Sequence, residues 1–179
     1  MISPPLHRIV VIGPESTGKT RTSMDLAEAL GTVWVPEYAR TYLESLSRPY
    51  KEEDLELIAQ GQLEREDQMA KTAQGFLVCD TDLYVIKIWS EYKFGRCSPW
   101  ILHQIAQRRY DLYLLGFIDI PWEEDPFREH PDPAERKILY QYYLDHMVHS
   151  GRPFRVLKGR TQERLTQALE SIHSQFKIS

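Results

Sequence analysis

The segment RIVVIGPESTGKTRT, residues 8–22, narrows the folds open to this chain more than any other. Residues 8–13, with a β-branched run at 9–12, read as a buried strand. From residue 19 onward, KTRTSMDLAEAL sets apolar residues at helical spacing, and Gly31 supplies a stop signal. Between the two stands GPESTGKT, residues 13–20, a full match to G-x-x-x-x-G-K-[ST]. A strand that turns through glycines straight into a helix opens a β-α-β unit, and so commits the chain to a parallel sheet.

The chemistry behind each fixed position points to a polyphosphate. Gly13 and Gly18 let the backbone curl so that successive N–H groups form an anion-binding nest. The following helix aims its positive end at the same anion. Lys19 is placed to reach the β- and γ-phosphates, and the Thr20 hydroxyl to ligate Mg²⁺. The expected nucleotide-binding segment is therefore Gly13, Pro14, Glu15, Ser16, Thr17, Gly18, Lys19 and Thr20, with the adjoining Arg21. The same letters can match by chance in a turn, but a chance match has no reason to lie between a strand and a helix.

The rest of the chain repeats this alternation. Strands are expected at 32–36, 75–82, 111–118 and 154–159. Helices are expected at 37–46, 51–73, 84–93, 99–108, 131–151 and 161–176, the last with Thr161 as N-cap. This pattern implies a doubly wound α/β fold, a parallel five-stranded sheet with helices on both faces. No internal repeat or linker interrupts it, so residues 1–179 read as a single domain. One stretch stays irregular: DIPWEEDPFREHPDP, residues 119–133, is rich in proline and charge and follows a strand. It reads as a mobile lid over the site.

Charge and cysteine usage exclude several function classes. A net charge of −4 argues against a nucleic-acid binder built on a basic face. The two cysteines, Cys79 and Cys97, lack metal-ligand spacing and read as reduced thiols in a cytoplasmic protein, Cys79 as a small core residue. The six histidines show no metal spacing either. No apolar run approaches a membrane span, and residues 1–7 lack the hydrophobic stretch of a signal peptide. A small-molecule substrate is the partner that remains, with neither nucleic acid nor membrane.

In open parallel sheets ligands bind off the carboxyl ends of the strands, so the residues after each strand are the site candidates. The second strand is followed by Glu37, Tyr38 and Arg40. A carboxylate and a ring here suit a polar acceptor with a flat ring stacked on Tyr38; the alternative is a helix N-terminus beside a half-buried tyrosine. Asp80 ends an apolar strand, where a carboxylate holds a Mg²⁺ shell together with Thr20 or takes a proton from an attacking hydroxyl. Asp82 is equally well placed to cap the next helix. Arg128 and Arg136 lie in and just after the lid, where guanidinium groups can stabilise a transferring phosphoryl group. Trp122 lies in the same polar loop and can close over a ligand, whereas Trp34, Trp89 and Trp100 read as core.

Taken in order, GPESTGKT, PEYAR, DTDLYVIKIW and PWEEDPFR resemble the ribosylnicotinamide kinase domain of the NadR type, over residues 8–176. The resemblance implies a P-loop NTPase of the nucleoside and nucleotide kinase type with sheet order 2-3-1-4-5. It implies transfer of the ATP γ-phosphate to the 5′-hydroxyl of nicotinamide riboside, with ATP and Mg²⁺ as cofactors and nicotinamide mononucleotide as product. By that likeness the catalytic residues are Lys19, Asp80 and Arg128. Glu37, Tyr38 and Arg40 match the family's riboside-side motif, and Asp80 and Asp82 its DTD. The family often carries D-G-x-R in the lid, where this chain has Asp125-Pro126-Phe127-Arg128, and proline stiffens that turn. Two rival readings stay open: a kinase for another nucleoside or small metabolite, and an ATPase or nucleotide-sensing module without an acceptor pocket.

Overall fold

The alternation of side chains along the strands decides how this sheet is covered. The computed structural model describes residues 5–177; residues 1–4, part of the stretch read for a leader, and residues 178–179 lie outside the described residues. Five strands, β1 (His7–Ile12), β2 (Val33–Val35), β3 (Phe76–Asp80), β4 (Leu112–Gly116) and β5 (Phe154–Leu157), pair in parallel in the order β2-β3-β1-β4-β5. Seven helices join them: α1 (Lys19–Ala29), α2 (Tyr38–Ser45), α3 (Glu52–Ala70), α4 (Leu83–Phe94), α5 (Pro99–Gln107), α6 (Pro133–Ser150) and α7 (Thr161–Phe176).

Period-two geometry sends neighbouring residues to opposite faces. Ile9, Val11, Val78, Leu112 and Leu114 pack with Leu26 and Ala27 of α1 and with Ala168 and Ile172 of α7. Val10, Ile12, Leu77, Cys79, Tyr113 and Leu115 face the other way, onto Ile88 of α4 and Tyr143 and Met147 of α6. Both faces are therefore buried, which is why β1, β3 and β4 carry continuous apolar runs through their centres rather than alternating with polar residues. A third cluster joins α2 to α5 around Leu55, Ile58, Leu83, Ile86 and Ile101. Among the described residues no helix is long and apolar enough to cross a membrane.

Several expected boundaries move by a residue or more, and one of the shifts bears on the site. The third strand ends at Asp80 rather than 82, because Thr81 adopts a φ of 71° and breaks the ladder. Asp82 then caps α4, accepting from the Tyr84 N–H at 3.0 Å and from the Tyr113 hydroxyl at 2.8 Å while fully buried. α7 keeps its expected span, but its N-cap is Arg160 and not Thr161: the Glu163 carboxylate, three residues on, takes the Arg160 N–H at 2.7 Å.

The contact between α2 and α3 settles the place of Tyr38. Its N–H donates to Gln62 Oε1 at 2.7 Å, and its ring lies against Gly61 with the Arg65 guanidinium 4.9 Å over it. A Cβ at residue 61 would stand 2.1 Å from Tyr38 Cε1. Alanine is the better helix former by about 1 kcal/mol, yet here overpacking wins. Gly61→Ala is expected to lower stability by roughly 1–3 kcal/mol in denaturant titration; an unchanged or higher midpoint would show that the ring is not held in the notch.

Candidate nucleotide and acceptor site

The phosphate loop is held open by its own backbone. Gly13 has φ 141°, and a Cβ there would meet the Gly116 carbonyl oxygen at 2.9 Å; Gly18 has φ 72° at the N-cap of α1. Inside the loop the Thr17 hydroxyl and the Lys19 ammonium both donate to the Pro14 carbonyl, at 2.8 and 3.0 Å. The helix N-terminus carries no side-chain cap, which leaves its first N–H groups free for an anion.

A residue that sequence reading missed braces this loop. Arg164 of α7 is only 1% exposed. Its guanidinium donates to the carbonyls of Thr17 at 2.9 Å, Phe117 at 2.9 Å and Gly159 at 2.8 Å, and pairs with Asp119. Burial pushes its pKa down and Asp119 opposes that shift. The available signal was spacing: residues 164, 168 and 172 share the buried face of α7.

Sheet order brings β3 beside β1, so Asp80 arrives next to the loop. Thr20 Oγ1 donates to Asp80 Oδ2 at 2.6 Å. Asp80 is 1% exposed, and its Oδ1 has no hydrogen-bond partner among the described residues. Burial, reinforced by Glu37, pushes its pKa up to about 7, against the Thr20 hydrogen bond and the Lys19 and Arg40 charges. An orphaned buried carboxylate oxygen beside a threonine hydroxyl is a hard, oxygen-only donor set, which fits Mg²⁺. Among the described residues no group of three or more His, Cys, Asp or Glu gathers as a metal cage. Mg²⁺ at phosphate sites needs none, since phosphate and water fill most of its shell.

From this corner a cavity of about 540 Å³ runs between α2, α4, α6 and the lid. Its lining includes every residue from Gly13 to Arg21, together with Glu37, Arg40 and Arg128. Tyr38 is absent from the lining: its ring points into the α2–α3 contact described above, so the expected stacking position is corrected. Trp89 does two things: it packs against the third apolar cluster as expected, and it also lines the cavity on α4 with Tyr92, where Tyr143 of α6 and Phe127 of the 119–133 loop add further rings. Trp34 and Trp100 pack against the apolar clusters as expected.

The irregular loop read as a lid, residues 119–133, is tied down on two sides of the cavity. On the phosphate side the Glu15 carboxylate accepts the N–H groups of Glu129 and His130 at 3.0 Å, and Ser16 Oγ accepts that of Glu123 at 3.0 Å. The Glu15 side chain thus holds the lid, and only its backbone is left to face phosphate. On the other side Arg40 pairs with Asp125 at 2.5 Å and Lys93 with Glu129 at 2.7 Å. Trp122 does not line the cavity: its ring sits near the Arg128 and Arg136 guanidiniums, 5.9 and 5.7 Å away. Arg136 itself is buried and donates to the Ser16 and Ile120 carbonyls at 3.2 and 3.3 Å, so it acts as a brace of the loop.

Comparison with known proteins agrees with this geometry. The chain is 27% identical over 146 residues to the trifunctional NAD biosynthesis/regulator protein NadR of Salmonella typhimurium, covering 78% of this chain and 35% of that protein. The chain therefore spans about a third of the length of the curated relative it matches. It superposes on a crystal structure of NadR in complex with NR with a TM-score of 0.79 at 24% identity, covering 97% of this chain and 51% of that one. A NadR structure with NAD and AMP-PNP gives a TM-score of 0.75 at 20% identity, over 97% of this chain and 50% of that one. Thymidylate kinase from Ehrlichia chaffeensis gives 0.69 at 14% identity, over 94% and 100%. These likenesses show the fold of P-loop nucleoside and nucleotide kinases. A family model described as an AAA domain matches residues 8–164, and the chain belongs to that family.

Proposed function

We propose that this chain is an ATP-dependent kinase that phosphorylates the 5′-hydroxyl of nicotinamide riboside, giving nicotinamide mononucleotide and ADP. The observation that carries the proposal is the cavity. A pure nucleotide switch needs only the phosphate loop, whereas here the loop opens onto a chamber lined by Glu37, Arg40, Trp89 and Tyr92 that is large enough for a nucleoside. The NadR structures with NR and with AMP-PNP support the choice of acceptor and donor.

The chain's residues divide the work as follows. The nest and Lys19 hold the β- and γ-phosphates, and Lys19 exchanges its bond to the Pro14 carbonyl for phosphate oxygens. Thr20 and Asp80 would hold Mg²⁺, which would withdraw charge from the phosphates. The acceptor's ring lies on Trp89, and Arg40 and Glu37 orient its ribose. The acceptor oxygen bonds to the γ-phosphorus as the bond to the β–γ bridging oxygen breaks. Glu37 takes the hydroxyl proton, and Arg128 stabilises charge on the transferring group.

A panel of ribosides with MgATP tests the acceptor directly. Phosphorylation of nicotinamide riboside well above other nucleosides is expected. A preference for another nucleoside would move the assignment to that acceptor, and ADP release indifferent to acceptor would favour an ATPase. Lys19→Ala is expected to lower kcat by about a hundredfold or more with the fold intact, as read by thermal denaturation.

Steady-state kinetics separate the two aromatic candidates. Trp89→Ala should raise the riboside KM by roughly tenfold to a hundredfold with a smaller effect on kcat. Tyr38→Ala should leave that KM within about threefold and instead cost stability, on the order of 2–3 kcal/mol. The reverse pattern would return the acceptor to α2.

Asp80→Asn should nearly abolish turnover and yet raise the melting temperature. The folded pKa of Asp80 lies near 7, above the ordinary carboxylate value of 3.8. Its ionised form is therefore unfavourable to folding. That penalty is complete above pH 7, shrinks as pH falls and vanishes below the unfolded pKa. The variant's stability gain should follow the same course across the pH range; a loss at neutral pH would show that the carboxylate is instead stabilised by its neighbours.

A further inference from the structure

One aromatic hydroxyl, outside every motif discussed above, joins the acceptor chamber to the lid. Tyr50 lies in the loop before α3, and its ring meets Trp89 edge-on at 4.8 Å and Phe94 at 6.3 Å. A phenol oxygen offers one proton and two lone pairs, and all three are used here. Trp89 Nε1 donates to it at 2.7 Å and the Lys93 ammonium also donates, while its own proton goes to Glu129 Oε2 at 2.6 Å. Burial and the Glu129 carboxylate keep this phenol protonated, so it remains a donor to the lid. Glu129 is also the residue whose backbone N–H reaches Glu15 of the phosphate loop.

The contacts therefore form one line: indole of Trp89, hydroxyl of Tyr50, carboxylate of Glu129, backbone of Glu129, carboxylate of Glu15. We infer that Tyr50 is a positioning residue that fixes the Trp89 indole for the acceptor ring and, through the same hydroxyl, latches the lid. The inference rests on the reading of Trp89 as the acceptor's platform. Its consequence is that acceptor binding and lid closure are not independent. An indole turned away from Tyr50 gives up its hydrogen bond, and Tyr50 loses one of the contacts that aim its own proton at Glu129. A ring seated on Trp89 favours the orientation in which both are made.

Tyr50→Phe tests this with little change in shape, because the ring and its aromatic contacts stay while the three hydrogen bonds go. The riboside KM should rise about tenfold, the KM for ATP should stay within about twofold, and the melting temperature should fall by only a few degrees, leaving the protein folded at assay temperature. Hydrogen exchange supplies a readout that does not depend on turnover. The amides of Glu129 and His130, bonded to Glu15, should exchange several-fold faster in the variant. In the wild type the riboside should slow them further, and in the variant it should not. Glu129→Ala, on the exposed side of the latch, should reproduce the same KM split if Tyr50→Phe does not fold. An unchanged riboside KM, equal rises in both KM values, or unaltered exchange at residues 129 and 130 would overturn the inference. Absence of riboside phosphorylation in the wild type, with the exchange effect intact, would instead sink the acceptor assignment and leave the Tyr50 latch standing.

Discussion

The site depends on one uncompensated group, the buried carboxylate of Asp80. A carboxylate at 1% exposure with one oxygen bonded only to Thr20 and the other unbonded is costly in an apolar interior. Two residues on, Asp82 is equally buried but accepts from Tyr84 and from Tyr113, so both of its oxygens are satisfied. Burial pushes both pKa values up to about 7. The difference lies in satisfaction: Asp82 is a finished structural cap, and Asp80 has an oxygen left for something the chain does not contain. Thr81, held between them at φ 71° despite its β-branch, supplies the kink that sends the two carboxylates to different tasks.

Much of the remaining architecture serves to keep that oxygen next to the phosphate loop. Parallel pairing of β3 with β1 sets Val11 opposite Asp80, which places the carboxylate where β1 turns into the loop. On the other flank β4 approaches so closely that Gly13 and Gly116 must both lack side chains: a Cβ at 116 would meet Thr17 Oγ1 at 3.0 Å. Arg164 and Arg136 then fasten the loop's carbonyls from α7 and α6. Two buried guanidinium groups on loop carbonyls leave the loop's N–H groups turned the other way, toward the anion. The nest is thus preorganised by charges on its back, so little reorganisation is needed when phosphate arrives.

How much of this was legible in the sequence follows from how local each cause is. The phosphate loop, the five strands and their order, and the Thr20–Asp80 pair rest on short-range patterns and on a resemblance carried by contiguous motifs. The roles of Tyr38 and Trp89 do not. Tyr38 follows a strand end whereas Trp89 lies in the middle of α4, and the turning of Tyr38 away from the cavity depends on a notch at Gly61, across another helix, that no local pattern announces. Arg164 looks like a surface residue in TQERLTQ until its spacing with Ala168 and Ile172 is weighed, and its partners are spread over Thr17, Phe117, Asp119 and Gly159. Tyr50 is harder still, because its meaning lies in a hydroxyl whose three partners come from α4 and the lid.

The departure from D-G-x-R in the lid also acquires a physical sense. Residues 125–128 form a turn in which the Arg128 N–H donates to the Asp125 carbonyl at 3.1 Å and the Phe127 N–H to the Asp125 carboxylate at 3.0 Å. Pro126 occupies the second position of that turn, where its fixed φ is the favoured one. Proline there removes conformations that glycine would allow, so ordering this turn costs less entropy. The turn carries both Asp125, which Arg40 grips, and Arg128, which reaches the cavity. A stiffer tip holds the two in a fixed relation, so the Arg40–Asp125 pair also sets where Arg128 stands. Glycine at the same position would leave the two residues to be ordered separately, and the ion pair with α2 would then say little about where the lid's guanidinium lies.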